Sequence, residues 1–470
     1  MQADEPDEAS KTSSARPPTP PGFREQYGSR SPQQCRLVCA RSRRRHVEVL
    51  PIDSAGDIFV LDIVRMPTSS LDHLAAQFTH SLRSIKLEER WPGFVASRIG
   101  HSVTLDLAAT ALVKAQEYAA TRYTGSVNSS LRPYTEALVH LRADIAAPRS
   151  YLLDDTAVVV ALLALVERLL SPGSTSTHQH LKALYHILAA RGPQPRALKS
   201  NIIAAIYYDS WTVTFLRPCL MGVVSPFDDP LCHSLEPVGR TNLDPVIVAV
   251  RWCSHQLFLR LPTLIVLVRR VRATASADDA AKAADLAMHL LELNEIDAEV
   301  AFMTRIRTTE TQHARDRKIT PTSYAFDCAA QYDAAMYFWA ARLLLFRLCR
   351  TLNTISPPSD RLDISPSTIS RTVSNLFKSW QYTLGASLAG MDAVGISSVG
   401  IWGALLDFPD LFAPELQGRE LQTWVLENLN FTMVHKLGAA RREMDMMADL
   451  FAGGKIDGRV VEVVRGAFEG

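Results

Sequence analysis

The sequence predicts an all-α protein, a large multi-helix array of packed helix pairs that follows a disordered N-terminal arm. Apolar residues recur at intervals of three and four over most of the chain from Leu71 onward, and strand-like alternation is nearly absent. Capping residues, glycines and prolines separate these segments at short intervals. The sequence contains no fixed-length repeat, so we expect an irregular stack of helices.

The most informative stretch, residues 131–193, predicts three consecutive helices with the middle one buried. The first helix places five apolar residues on one face: Leu131, Tyr134, Leu138, Leu141 and Ile145. The second begins at Asp154 and Asp155, and residues 157–165 are all apolar, which is typical of a helix surrounded by other helices. The third ends at Arg191, Gly192 and Pro193, a basic last turn with a glycine and a proline stop.

Helices are also expected on both sides of this stretch, about thirteen in total. Ser69 or Ser70 would cap the helix that starts at Leu71. The other expected helices span residues 101–120, 201–217 (ended by Pro218), 245–272, 278–307, 324–352, 365–384, 385–407, 414–431 and 433–451. Residues 71–470 would therefore form the helical domain.

Residues 1–70 are predicted to form a polar, disordered arm with a basic cluster. Residues 1 to about 34 are polar, contain several prolines and show no periodicity. The run RSRRRH follows and supplies four arginines: Arg41, Arg43, Arg44 and Arg45. Dense arginine after such an arm suits nuclear import or contacts to phosphates, and a solvated charge run is the alternative interpretation.

The composition narrows the range of functions. The chain has 50 basic and 49 acidic residues and a net charge of +1, so overall charge argues neither for nor against a nucleic-acid partner. The N-terminus lacks the apolar segment of a signal peptide, and we expect no membrane partner, since no apolar run reaches the length of a membrane span. The seven scattered cysteines are expected to be reduced thiols.

Ten residues of the stretch 131–193, taken in order, resemble the middle homology region of the fungal binuclear-zinc-cluster (Zn2Cys6) transcription factors. In that family a Tyr-x-x-Ala-Leu-x-x-Leu helix precedes an acidic cap, a long apolar helix that ends near Glu, a His-containing helix and an Arg-Gly-Pro stop. The matching residues are Tyr134, Ala137, Leu138, Leu141, Asp155, Glu167, His180, Arg191, Gly192 and Pro193. Ala183 departs from the pattern, because the family often has glycine there. Residues 99–115 and 338–352 resemble other helices of the family, so the resemblance covers roughly residues 70–450.

The resemblance implies a transcriptional regulator in the nucleus that acts through this helical regulatory domain. The expected partners are proteins of the transcription machinery or a DNA-binding homologue, and the chain could also pair with a second copy. The family's zinc cluster begins Cys-x-x-Cys-x6-Cys, whereas here Cys35 and Cys39 are separated by three residues and the next cysteine is Cys219. Two thiolates cannot close a tetrahedral zinc site, so the zinc ligands do not carry over.

We therefore expect no cofactor, with zinc only if an upstream cluster is missing from this chain. A truncated paralogue or a wrongly assigned first exon would explain such a gap. Contacts with nucleic acid are expected to be weak and non-specific, because the basic cluster has no groove-reading element beside it.

No enzymatic activity is expected. The sequence lacks phosphate-binding loops, the His-Glu-x-x-His zinc motif and the spacing of a nucleophile elbow, and none of its Asp-Asp pairs has the third acid of a magnesium-binding helix. His180 is expected to be a packed or capping histidine, and Tyr337, Phe338 and Trp339 are expected to pack in a core. The alternative is a helical small-molecule-binding protein or an enzyme of secondary metabolism, with a site formed by shape and aromatic side chains.

Overall fold

The computed structural model describes residues 69–468, apart from residues 86, 88–89, 122–125, 148, 171–176, 193–199, 236–243, 294–295, 313, 356–361, 363, 384–387, 410–418 and 433–440. The predicted arm, the basic cluster at Arg41–45, Cys35, Cys39 and Pro193 lie outside the described residues. Within the described part, the all-α prediction is confirmed.

Eighteen α-helices lie in the described part of the chain. In order they are α1 (Ser70–Ser84), α2 (Val103–Ala120), α3 (Asn128–Ala146), α4 (Asp154–Leu170), α5 (Thr177–Arg191), α6 (Asn201–Asp209), α7 (Arg217–Met221), α8 (Pro230–His233), α9 (Pro245–Thr274), α10 (Ala277–Glu292), α11 (Ile296–Met303), α12 (Ala314–Ile319), α13 (Ala329–Ile355), α14 (Pro366–Thr383), α15 (Leu388–Asp407), α16 (Arg419–Thr432), α17 (Arg441–Phe451) and α18 (Gly458–Phe468). Two 3₁₀ helices, Trp91–Arg98 and Ser150–Leu152, and a π-helical turn, Thr212–Leu216, connect some of them. No helix among the described residues is long and apolar enough to cross a membrane.

Serine caps define the starts of the first helices. The Ser69 hydroxyl accepts a hydrogen bond from the Asp72 amide at 3.1 Å, and the Ser102 hydroxyl accepts one from the Leu105 amide at 3.1 Å. Each bond satisfies an amide that the first helical turn leaves without a backbone partner. The predicted start of α1 is therefore confirmed, with Ser69 as its cap.

The three helices predicted in residues 131–193 are α3, α4 and α5. The segment of α4 from Val158 to Leu163 is at most 4% exposed, as expected for a central helix. The predicted apolar face of α3 is wrong at its ends, because Leu131 and Ile145 are 39% and 47% exposed. The buried stripe instead runs through Ser130, Pro133, Ala137 and Leu141, so Leu131 lies beside it and Ile145 lies in the last turn.

Two clusters of buried apolar side chains fill the described part. The first, the N-terminal core, joins side chains of α1 to α6 around α4. The second, the C-terminal core, is centred on α13, which packs against α9, α14 and α15. Inside the C-terminal core, Glu299 pairs with the Arg342 guanidinium and accepts a hydrogen bond from Trp339 Nε1 at 3.0 Å. The buried carboxylate is tolerated there because Arg342 balances its charge and Trp339 satisfies its other oxygen.

The two cores meet at the π-helical turn and at α9. In the π-helical turn, Val213 belongs to the N-terminal core and Phe215 to the C-terminal core. On α9, Leu259 belongs to the N-terminal core and Phe258 to the C-terminal core. The prediction that Pro218 ends a helix over residues 201–217 is wrong, because α6 stops at Asp209 and Pro218 lies in the first turn of α7. Proline is tolerated in a first turn, where its missing amide hydrogen is not needed.

A short antiparallel hairpin interrupts the helices. Strand β1 (Arg307–Glu310) pairs with β2 (Thr322–Ala325), with Thr308 opposite Tyr324. The predicted helices over residues 278–307 and from 324 onward are therefore wrong at these ends. Four-residue strands are too short to give a recognisable alternation in sequence.

Candidate functional site

The family-motif residues Tyr134, Glu167 and His180 come together from three successive helices, and we call them the helix-linking cluster. The Tyr134 hydroxyl donates a hydrogen bond to Glu167 Oε1 and lies 3.1 Å from His180 Nε2. His180 Nε2 is also 3.4 Å from Glu167 Oε1. The side chains of Glu167 and His180 are 10% and 14% exposed, so three polar groups on α3, α4 and α5 meet in a largely dry environment. The expectation of a packed histidine at position 180 is confirmed.

Burial and the hydrogen bond to Glu167 determine the state of the tyrosine. Burial, followed by the Glu167 carboxylate, raises the pKa of Tyr134 well above its usual value. The phenol therefore stays protonated and acts as a donor to the carboxylate. Glu167 Oε2 is buried with no hydrogen-bond partner among the described residues, so the carboxylate depends on the two groups that reach Oε1. This arrangement fixes the positions of three helices relative to one another.

The acidic start of α4 supplies a second set of links between helices. Asp155 accepts two hydrogen bonds from the Arg98 guanidinium, at 2.6 and 2.9 Å. Asp154 pairs with Arg191, the last residue of α5, which is 1% exposed. Gly192 follows, and a Cβ there would lie 3.4 Å from the Tyr207 hydroxyl, an ordinary van der Waals contact, so packing does not require a glycine at this position. It is not among the described glycines with left-handed backbone, which are Gly100, Gly222 and Gly453.

A separate cavity of about 50 Å³ lies where the two cores meet, and we call it the junction cavity. Its walls come from four distant parts of the sequence: the residue before the first 3₁₀ helix, the end of α6 with the π-helical turn, the middle of α9 and the start of α13. π-Helical turns occur often at functional sites, because the extra residue changes which side chains face inward.

Two ion pairs line the junction cavity. Arg90 binds Asp333 on α13, and Arg251 on α9 lies 3.1 Å from Asp209 Oδ1. Asp209 Oδ2 accepts a further hydrogen bond from the Trp91 amide at 2.9 Å. Burial raises the pKa of Asp333, against the lowering effect of Arg90. Two positive and two negative groups face one another, so the formal charges around the cavity cancel.

His255 is a buried histidine in the wall of the junction cavity. Its side chain is 6% exposed, and its ring stacks on Tyr208 with 3.8 Å between the ring centroids. Burial, followed by the charges of Arg251 and His233, lowers the pKa of His255 to about 3. The imidazole is therefore neutral at ordinary pH, and its Nε2 is buried with no hydrogen-bond partner among the described residues. Such an atom is costly to bury unless a molecule in the cavity binds it.

Aromatic side chains form the rest of the wall. Trp211, Phe258 and Tyr337 line the cavity, with Phe258 and Tyr337 in an edge-to-face contact at 5.8 Å. The expectation that Tyr337, Phe338 and Trp339 pack in a core is confirmed for Phe338 and Trp339, which are at most 1% exposed. Tyr337 instead lies at the cavity, because successive residues of a helix point about 100° apart.

Sequence reasoning missed this cavity. None of Arg90, Asp209, Arg251, His255 and Asp333 belongs to a recognised motif, and their separations along the chain vary without pattern. The available indication was a set of charged residues within otherwise apolar helices, such as Asp333 in α13. Ionisable groups in such positions are rarely buried unless they are paired.

A larger cleft of about 330 Å³ lies at the C-terminal end of α13. Its charged groups already bind other groups of the protein: Arg347 contacts Asp407 at 2.6 Å, Arg272 contacts Asp449 at 3.1 Å, and Arg350 lies over the Phe408 ring. The junction cavity is therefore the better candidate for binding a small molecule.

Metal and thiol chemistry have little support in the described part of the chain. There, no group of three or more His, Cys, Asp or Glu residues is placed to hold a metal ion. The cysteines Cys219, Cys232 and Cys349 are free and buried. Burial raises the pKa of Cys232 and Cys349 to about 12, so these thiols are protonated and unreactive.

No protein-family model matches this sequence, and comparisons with curated proteins and with solved structures also give no match.

Proposed function

We propose that this chain is a transcriptional regulator of the fungal zinc-cluster type that acts through its helical regulatory domain, without an intact zinc cluster of its own. The helix-linking cluster supports the proposal most directly. Tyr134, Glu167 and His180 belong to one ordered sequence motif, and they contact one another across three helices. A motif that arose by chance in a helical protein has no reason to converge on one buried point.

The proposal includes a nuclear location, no enzymatic activity and function through protein partners. The basic cluster at Arg41, Arg43, Arg44 and Arg45 would serve as the import signal. A fluorescent fusion of the full chain should be nuclear, and replacement of the four arginines by alanine should disperse it. An unchanged nuclear signal in that variant would assign import to another segment.

A tethering experiment tests the regulatory function. The full chain is fused to an unrelated DNA-binding domain, and a reporter gene carries the matching operator. We expect reporter output to change, upward or downward, relative to the DNA-binding domain alone. A Leu162→Asp fusion, in which α4 cannot pack, should lose the effect. A wild-type fusion that is folded, nuclear and without effect on the reporter would contradict the proposal.

A second candidate function is supported by the junction cavity. Its neutral histidine, aromatic walls and perturbed carboxyl group are features of small-molecule sites. A helical small-molecule-binding protein or an enzyme of secondary metabolism would also use such a cavity. Turnover of a bound compound by the purified chain would favour this alternative over the regulatory one.

A further inference from the structure

His255 Nε2 is a buried polar atom at the junction cavity whose hydrogen bond the described residues do not supply. The neighbouring charged groups are already matched: Asp209 by the Trp91 amide and Arg251, and Asp333 by Arg90. The Ser254 and Thr214 hydroxyls donate to backbone carbonyls, at 2.8 and 3.3 Å. A molecule that enters the cavity therefore meets charged groups that are already paired, and a histidine nitrogen that is still available for a hydrogen bond.

We propose that the junction cavity binds an uncharged molecule that carries a hydroxyl or a primary amide, which forms a hydrogen bond with His255 Nε2. The volume of about 50 Å³ holds roughly three to five non-hydrogen atoms, taking one water-sized site per 10–15 Å³. The ligand is thus a short alcohol or amide, or the terminal hydroxyl or amide of a longer molecule that extends through the mouth of the cavity.

The charge around the cavity selects against ions. An anion would approach Arg90 and Arg251, but it would have to displace Asp333 and Asp209 from existing pairs. A cation would approach Asp333 and Asp209, but it would have to displace Arg90 and Arg251 from the same two pairs. Because the formal charges cancel, a neutral ligand enters without breaking either pair.

The choice of a hydroxyl or an amide follows from the histidine. A neutral imidazole carries one N–H donor and one acceptor nitrogen, and either can be at Nε2. Hydroxyl and primary amide groups both donate and accept, so they match either tautomer. The apolar part of the ligand would contact Trp211, Phe258 and Tyr337.

Three isosteric probes test the inference: acetamide, acetate and acetamidinium. They have the same shape and the same number of non-hydrogen atoms, and they differ in charge. The full chain is labelled at histidine, and the His255 imidazole signal is identified in NMR spectra by its loss in His255→Phe. We expect this signal to shift saturably with acetamide at concentrations up to about 0.2 M, which covers the affinity range of such small ligands. Acetate and acetamidinium should bind at least about tenfold more weakly, a difference of 1.4 kcal/mol.

Two further variants keep the test independent of His255 itself. Ala330→Leu fills the cavity from α13 and should abolish the acetamide shift while the His255 signal remains. Ala143→Leu, at an exposed position of α3, should leave the acetamide affinity unchanged. No saturable shift in the wild-type chain would mean that the cavity holds water only, and this outcome would overturn the inference. Equal binding of acetate, or full binding in Ala330→Leu, would also overturn it.

Acetamide binding is measured directly by the shift of the His255 imidazole signal, so the test does not depend on the proposed function. The further idea that occupancy alters transcription does rest on that function, since the cavity lies where the two cores meet. Acetamide binding without a reporter effect in the tethering experiment would support the site and contradict the regulatory role. A reporter effect without acetamide binding would support the regulatory role and contradict the site.

Discussion

At the scale of single residues, the described structure contains buried polar groups of two kinds. Glu167 Oε1 is matched by Tyr134 and His180, so removing a partner leaves a buried carboxylate short of a hydrogen bond. His255 Nε2 has no partner among the described residues, so removing it should relieve a penalty. Substitutions at the two sites therefore have opposite expected effects on stability.

Replacing Tyr134 by Phe should lower the free energy of unfolding by about 1–3 kcal/mol, because a buried carboxylate loses its donor. Adding Glu167→Gln to this variant should cost less than the sum of the two single changes, since the shared interaction is already lost. Urea denaturation of the wild-type, single and double variants measures both effects. Strictly additive effects would show that Tyr134 and Glu167 are not coupled.

Acidification should destabilise the wild-type chain more than His255→Phe. The native pKa of His255 is about 3 and its ordinary value is 6.5, so below pH 6.5 the unfolded chain binds a proton that the native chain does not. Stability is therefore lost as pH falls from 6.5 toward 3, by about 2 kcal/mol at about pH 5. The pKa of Asp333 is raised, so this group stabilises the native chain as pH falls. Both chains contain Asp333, so it does not change the difference between them.

The measurement for this prediction is urea denaturation of both chains between about pH 8 and pH 5. The difference in unfolding free energy between wild type and His255→Phe should change with pH in that interval, in favour of the variant at low pH. Parallel curves would mean that His255 is protonated in the native chain or exposed to water.

At the scale of helices, α4 is the element whose position the sequence predicts best. Residues 157–165 are apolar in sequence, and Val158 to Leu163 are almost fully buried in the structure. The neighbours α3 and α5 are fixed to it by Tyr134, His180, Asp154 and Arg191. Long, strongly patterned helices of this kind depend little on distant parts of the chain, which is why local sequence predicts them.

Replacing Leu162 by Asp should lower the unfolding free energy by about 4 kcal/mol or more, through lost burial and an unpaired buried charge. Val139→Asp is the matched control, since Val139 is 60% exposed on α3 and should change stability by about 0.5 kcal/mol at most. Thermal unfolding followed by circular dichroism compares the two. Similar effects of both substitutions would show that α4 is not at the centre of a core.

The features that sequence reasoning missed are those that depend on distant contacts. Strands β1 and β2 stabilise each other by pairing, and neither four-residue segment has a pattern of its own. The junction cavity needs Arg90, Asp209 and Asp333 in one place, which only the packing of the two cores achieves. The π-helical turn, with the sequence TVTFL, is buried throughout, and these residue types give no sign of a change in helix type.

At the scale of the whole molecule, the chain consists of a helical part and an N-terminal segment whose sequence contains a basic cluster. The helical domain holds two apolar cores and the junction cavity. The N-terminal segment contributes Cys35, Cys39 and four closely spaced arginines. The proposed function assigns partner binding to the first part and import to the second.

The purified full chain should contain substoichiometric zinc, and a chelator should not change its unfolding temperature. Two cysteines with the spacing of Cys35 and Cys39 cannot complete a tetrahedral site, and structural zinc sites use four ligands. Elemental analysis of the protein measures the metal content. Two zinc ions per chain, lost when Cys35 and Cys39 are replaced by serine, would mean that a cluster forms in a way the spacing does not predict.

Titration of the purified chain against DNA most directly tests the central claim of the proposed function, that the chain does not read DNA sequence itself. We expect weak binding that is insensitive to sequence, with a log–log salt slope of about −4 from four arginines, because arginine contacts to phosphates carry no sequence information. Replacing Arg41, Arg43, Arg44 and Arg45 by alanine should remove most of this binding. Nanomolar, sequence-selective binding by the chain alone at physiological salt would contradict the claim.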